Sequence, residues 1–115
     1  MKYQGSCHCG KIAFEAEGEI QEVLECNCSI CQRKGSLLWF IPKSSFRLLT
    51  REQDMSTYTF NKHFIKHHFC PTCGIHPYAE AADRSGKPMA AINVRSLEGV
   101  DPKSFPTKAF NGRAL

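Results

Sequence analysis

Apolar residues recur with a period of two along much of this chain. Ile12, Phe14 and Ala16 alternate with Lys11, Ala13, Glu15 and Glu17, as in a strand with one buried face. Residues 37–41 are a continuous aromatic and aliphatic run stopped by Pro42, which suits a central strand. Residues 46–49 and 56–60 read as further short strands, and 64–69 as another that leads directly into Cys70. A turn is expected over 83–88, followed by a strand over 89–94 with Ala90, Ile92 and Val94 on one side. Helical periodicity is absent beyond short turns near 29–34 and 101–105. The pattern predicts a mainly β protein whose sheets are brought together by metal-binding loops.

A chain of 115 residues has room for one core, so one domain over 1–115 is expected. Its longest apolar run, 37–41, is too short to cross a bilayer. The first residues lack the apolar run of a secretory signal. The expectation is a cytoplasmic protein with no membrane partner, in a compartment where thiols stay reduced.

That setting changes how the cysteines read. All seven fall into three clusters: Cys7-His8-Cys9-Gly10, Cys26-Asn27-Cys28-Ser29-Ile30-Cys31 and Cys70-Pro71-Thr72-Cys73-Gly74. Reduced, clustered and odd in number, they point to zinc rather than disulfides. Two residues between Cys70 and Cys73 let both sulfurs turn toward one ion, as in a zinc knuckle, and Gly74 lets the chain wrap past it. In an extended Cys7-His8-Cys9, both sulfurs point to one side and His8 points away from the metal. These pairs make a four-thiolate site that closes a long loop. Cys26, Cys28 and Cys31 then form a three-thiolate site with one position open, suited to holding a thiol as thiolate. Spacing also allows an ordinary zinc ribbon of Cys28, Cys31, Cys70 and Cys73, with Cys7, Cys9 and Cys26 left over.

The formal charge of +4 falls to +1 if seven thiolates hold two Zn²⁺ ions. Lysines and arginines are scattered without a basic stripe, so no nucleic-acid partner is expected.

The three cysteine blocks, from Gly5-Ser6 and with Phe69 before Cys70, resemble the signature blocks of the glutathione-dependent formaldehyde-activating enzyme family, which includes centromere protein V. The similarity continues through Ile92-Asn93-Val94-Arg95-Ser96-Leu97 and Phe110-Asn111-Gly112-Arg113. It implies a β-tent fold of small antiparallel sheets stapled by zinc. It also implies a structural zinc on Cys7, Cys9, Cys70 and Cys73, and a catalytic zinc, which could be partly occupied, on Cys26, Cys28 and Cys31. The implied activity is a carbon–sulfur lyase reaction joining a small thiol, glutathione, to a small aldehyde, formaldehyde, as S-(hydroxymethyl)glutathione. A non-catalytic thiol carrier and a zinc-ribbon interaction module are the alternatives.

Other residues carry weaker expectations. Arg33 and Lys34 could hold a glutathione carboxylate or neutralise a thiolate, or simply stand in a solvated loop. Ser29 could bond a cluster sulfur. His67 and His68 are expected at solvent-facing strand positions, with a hydrogen bond to a metal-bound sulfur as the alternative. His63 and His76 carry no further signal. Trp39 and Phe40 are expected in the core.

Overall fold

The computed structural model describes residues 1–60, 62 and 64–114, with the backbone only at Ala114. His63 lies outside the described residues. Strands β1 (Lys2–Ser6), β2 (Ala13–Glu17) and β5 (Phe46–Leu48) form a three-stranded antiparallel sheet in the order β1-β2-β5. Strands β3 (Val23–Cys26), β4 (Leu38–Pro42), β6 (Ser56–Tyr58), β7 (Lys66–Phe69), β8 (Tyr78–Ala82), β9 (Pro88–Asn93) and β10 (Thr107–Phe110) form the second sheet. Its order is β10-β3-β4-β9-β8-β7-β6. All neighbours are antiparallel except β3 and β10, which run parallel with Phe110 opposite Cys26. The protein is thus mainly β, a tent of two small sheets, with one parallel pair inside a mostly antiparallel frame.

The core sits between the sheets. Ile12, Phe14 and Ala16 are each at most 1% exposed, so the period-two reading of this strand holds. Tyr3, Trp39, Ile41, Phe46, Tyr78, Ile92 and Val94 pack with them. The Phe14, Phe46 and Tyr78 rings stack or tilt against one another at 4.4–6.0 Å. Phe14 also explains Gly5: a Cβ at that position would run into the Phe14 ring.

The large sheet has a second buried face. Leu38, Ala79 and Ala91 lie on it with Cys31, under Leu24, Cys26, Cys28 and Ile30. Its cover is α1 (Ser29–Lys34), the one-and-a-half-turn helix expected from the sequence, which ends at Gly35 in the left-handed region with φ 68°. So short a helix shields only part of the face. Phe40, one step beyond Leu38 on that side, is exposed rather than in the core, while Trp39 is buried as expected.

The same two-sided cover corrects the expectation for the histidine pair. His67 and His68 are both 4% exposed. His68 faces the main core, where Nε2 lies 2.8 Å from Glu80 Oε2, Nδ1 lies 2.8 Å from Thr57 Oγ1, and the Tyr78 ring tilts against it at 4.8 Å. His67 faces the helix side, with its Nδ1 3.4 Å from Lys34 Nζ. Burial, followed by the charges of Lys34, His76 and His68, pulls the His67 pKa down to about 4. Because the unfolded chain takes up this proton near pH 6.5 and the folded chain only near pH 4, the unfolded state binds more protons in between. Stability contributed here is complete above pH 6.5 and is lost as pH falls toward 4. His67→Gln is expected to flatten the slope of Tm against pH in that window. An unchanged slope in thermal melts would show that His67 does not set it.

Candidate metal centres

Each cysteine cluster occupies a turn that leaves its sulfurs little freedom. Cys7 follows β1, and the Gly10 N–H donates to Cys7 O at 3.3 Å, so residues 7–10 form a tight turn rather than the extended segment expected. Gly10 carries φ 84°, which a turn exit of this kind requires. The sulfurs still converge, with Cys7 and Cys9 Sγ atoms 3.7 Å apart, while His8 is exposed outside the cluster. Between β7 and β8 the knuckle loop places Cys70 Sγ 3.5 Å from Cys9 Sγ, across 61 residues of chain. The N–H groups of Thr72 and Cys73 donate to Cys70 Sγ at 3.4 Å, and Ile12 N–H donates to Cys7 Sγ at 3.3 Å.

In the middle cluster Cys28 caps α1, its Sγ accepting from Cys31 N–H at 3.4 Å, and Cys28 N–H donates to Cys26 Sγ at 3.4 Å. The seven sulfurs fall into two groups, Cys7, Cys9, Cys70 and Cys73, and Cys26, Cys28 and Cys31, each with its ligand atoms within 4.8 Å of one another. The zinc-ribbon pairing of Cys28 and Cys31 with Cys70 and Cys73 is therefore excluded by the fold.

The donor set fits zinc. A tetrahedron with Zn–S bonds near 2.3 Å has edges of about 3.8 Å, and the measured sulfur separations of 3.5 and 3.7 Å are close to it. All seven cysteines are free thiols. Their proton affinities also ask for a cation. Burial, then contact with Cys28 and the charges of Cys26 and Cys28, pushes Cys31 up to about 12. At Cys9 the Lys11 N–H lowers the pKa, but Cys70, desolvation, Cys7 and Cys73 outweigh it and raise the value to about 11. The Ile75 N–H, with further contacts, draws Cys73 down to about 6. Crowded thiols cannot all ionise unless a metal neutralises them.

The two clusters differ in surroundings. Two clefts flank α1, sharing the buried Ser36. One, of about 550 Å³, is lined by Cys26, Cys31, Asn27, Gln32, Phe110 and Asn111, among others. The other, of about 590 Å³, is lined by Ile30, Arg33, Lys34, Tyr58, His76 and Asn93, among others. Of the basic pair, Arg33 is exposed, with Nη1 donating to Ser29 O at 2.7 Å, whereas Lys34 is turned inward toward His67. No bond from the exposed Ser29 hydroxyl to a cluster sulfur is seen among the described residues.

The chain's last residues belong to this site, which reasoning from the cysteines missed. Parallel pairing of β10 with β3 delivers them there. Asn27 Nδ2 donates to Asn111 Oδ1 at 3.0 Å, and Arg113 donates from its backbone N–H to Asn27 Oδ1, from Nε to Asn27 O and from Nη2 to Gln32 Oε1. Gly112 presses on the sulfurs: a Cβ there would sit 2.6 Å from Cys26 Sγ and 2.9 Å from Cys28 Cβ. The signal was the Asn-Gly pair, a turn element whose target only the fold reveals. Gly112→Val should displace Cys26 and weaken zinc at the middle cluster by roughly 10–100-fold, sparing the other cluster. Chelator competition, read as one weakened and one unaffected zinc, is the check.

A β-tent carries one cluster of four and one of three cysteine sulfurs, and each could hold a metal ion. The family model of the glutathione-dependent formaldehyde-activating enzyme matches residues 2–110, and the chain belongs to that family. Its structure is also similar to the crystal structure of a Rhodobacter sphaeroides protein, a structural-genomics target, with TM-score 0.79 and 32% identity. The match covers 91% of this chain and 99% of that one. Among the described residues no helix is long and apolar enough to cross a membrane.

Proposed function

We propose that this chain is a zinc-dependent enzyme of the carbon–sulfur lyase type that joins a small thiol to a small aldehyde. Its family suggests glutathione and formaldehyde as the pair, with S-(hydroxymethyl)glutathione as the product. The observation that carries the reading is the three-sulfur cluster with two of its cysteines lining a cleft. In this reading Cys7, Cys9, Cys70 and Cys73 hold a structural zinc, and Cys26, Cys28 and Cys31 hold a zinc whose fourth position is open. Bound there, zinc keeps the substrate sulfur as thiolate, the reactive form.

The remaining work falls to the protein. Asn27, Gln32 and Asn111 line the cleft with amide groups that can orient a peptide-like thiol. Arg33, exposed on α1 at the neighbouring cleft with donors to spare, suits a substrate carboxylate. Lys34 lies deeper. A cytoplasmic setting, where small thiols stay reduced, suits this chemistry.

The test is steady-state formation of the thiol–aldehyde adduct from glutathione and formaldehyde by zinc-loaded protein. A saturable rate above the spontaneous one is expected. Saturable thiol binding without acceleration would make the protein a carrier. Neither binding nor rate, with a salt-dependent gel shift, would return it to the interaction modules.

A further inference from the structure

Of the second cleft beside α1, only Arg33 entered the reading above. The cleft encloses about 590 Å³, and no cysteine of either cluster lines it. Its walls are partly apolar: Ile30 of α1, Tyr58 of β6, Phe69 of β7 and Ile75 of the knuckle loop. Phe69 and His76 stack at 5.1 Å, which fixes one of these walls. A cleft of this size suits a whole small organic molecule rather than a bare inorganic anion.

Its charge is one-sided. Arg33 and Lys34 both line it, and no aspartate or glutamate does. Neither cation has a carboxylate partner among the described residues. Arg33 is exposed and stays hydrated. Lys34 is half-buried, with its Nζ 3.4 Å from Nδ1 of the buried His67. His67, its pKa drawn down to about 4, is uncharged near neutrality and does not offset an ammonium. A cation drawn partly out of water normally has an anion beside it. Burial lowers the proton affinity of Lys34, and the sulfurs of Cys31, Cys28 and Cys26 oppose that. Zn²⁺ at that cluster would offset two of the three thiolate charges, so the sulfurs are poor counterions for Lys34.

Ser36 adds a second unanswered group. It is 3% exposed and lines this cleft, and no hydrogen bond from its hydroxyl is seen among the described residues. A buried hydroxyl normally finds a partner, and a ligand oxygen would supply one.

We propose that this cleft is a binding site for an organic carboxylate on an aromatic body. Lys34 and Arg33 hold the carboxylate, the Ser36 hydroxyl is a further donor to it, and the ring lies against Tyr58, Phe69 and Ile75. Charge-assisted donors of this kind are the strong ones. The site stands beside the three-cysteine cluster and does not depend on the thiol reading.

The probe is benzoate, titrated into zinc-loaded protein at constant ionic strength. Benzyl alcohol is its neutral counterpart, and acetate its counterpart without a ring. Benzoate is expected to bind saturably, with ¹H–¹⁵N shifts centred on Ser36, Ile75, His76 and Asn93. Benzyl alcohol should bind roughly 10-fold more weakly or worse. Lys34→Met, with wild-type zinc and a cooperative melt, should weaken benzoate by roughly 10–100-fold. Tyr58→Ala, a change at an exposed residue of the edge strand β6, should weaken benzoate and leave acetate unaffected. Equal affinity for benzoate and benzyl alcohol overturns the proposal, as does undiminished binding in Lys34→Met. Shifts centred on Asn27, Phe110 and Asn111 also overturn it, because they would place benzoate in the metal cleft. Absence of saturable binding does the same. Three of these outcomes are read on the wild-type protein, so they decide the matter even where Lys34→Met fails to fold. None of them bears on adduct formation from glutathione and formaldehyde, which stands or falls by its own assay.

Discussion

Cys70→Ala is expected to abolish the cooperative fold. Cys70 is fully buried in the main core, and its sulfur joins Cys7, Cys9 and Cys73. Those four come from the β1–β2 turn of one sheet and the β7–β8 turn of the other, so a metal there pins the two sheets together. The loop it closes spans 61 residues from Cys9 to Cys70, a long-range constraint that a small core does not replace. Structural zinc supplies about 10–16 kcal/mol in small domains, against a total stability of about 5–15 kcal/mol for folded proteins generally. Losing one ligand of four removes much of the first number and leaves little of the second. Circular dichroism with and without added zinc is the measurement. A sharp two-state melt in the variant, at a Tm within a few degrees of wild type, would show that this cluster does not staple the fold.

Residue patterns reveal the frame unevenly. Where one face of a strand is buried, as in Ile12-Phe14-Ala16, alternation marks it, while β9, buried on both faces at Ala90, Ala91 and Ile92, shows as an apolar run. Four strands escaped. In β1, Lys-Tyr-Gln-Gly-Ser holds its place by backbone pairing with β2, and its one buried residue is a glycine. β8 is built largely of alanine, a weak strand former that is needed where Ala79 lies under α1. β10 is exposed at every position and has no apolar face to betray it. β3, Val23–Cys26, is too short for alternation to show and continues into the middle cluster. The strand expected over 64–69 begins only at Lys66, with Phe64 and Ile65 exposed before it.

The two cysteine clusters were legible for a different reason. Their chemistry is carried by residue type and short-range spacing, and the fold had only to choose the pairing. Lys34 stood out by its place just after the cluster, but its partner His67 was not legible, nor was the approach of Gly112 and Arg113 to the cluster, because these meetings are tertiary contacts. The same holds for His67 and His68, whose polar character suggested solvent until α1 and the main core closed over them.

Cys26→Ala should produce the opposite phenotype to Cys70→Ala: an intact fold with no rate acceleration. Cys26 is only half-buried at the end of β3, so removing its sulfur leaves no deep cavity. The two sheets remain pinned through the four-cysteine cluster, which contains none of Cys26, Cys28 and Cys31. What disappears is one of three ligands. Two thiolates from Cys28 and Cys31 hold zinc poorly, and a substrate thiol then has no ion to keep it ionised. Metal analysis should fall from two zinc ions per chain to one, Tm should move by a few degrees at most, and adduct formation should drop to the spontaneous rate. Retention of both ions, or of the full rate with one, would remove the middle cluster from the chemistry. Together the variants separate the two clusters: loss of structure marks the four-cysteine site, and loss of turnover in a folded protein marks the three-cysteine site.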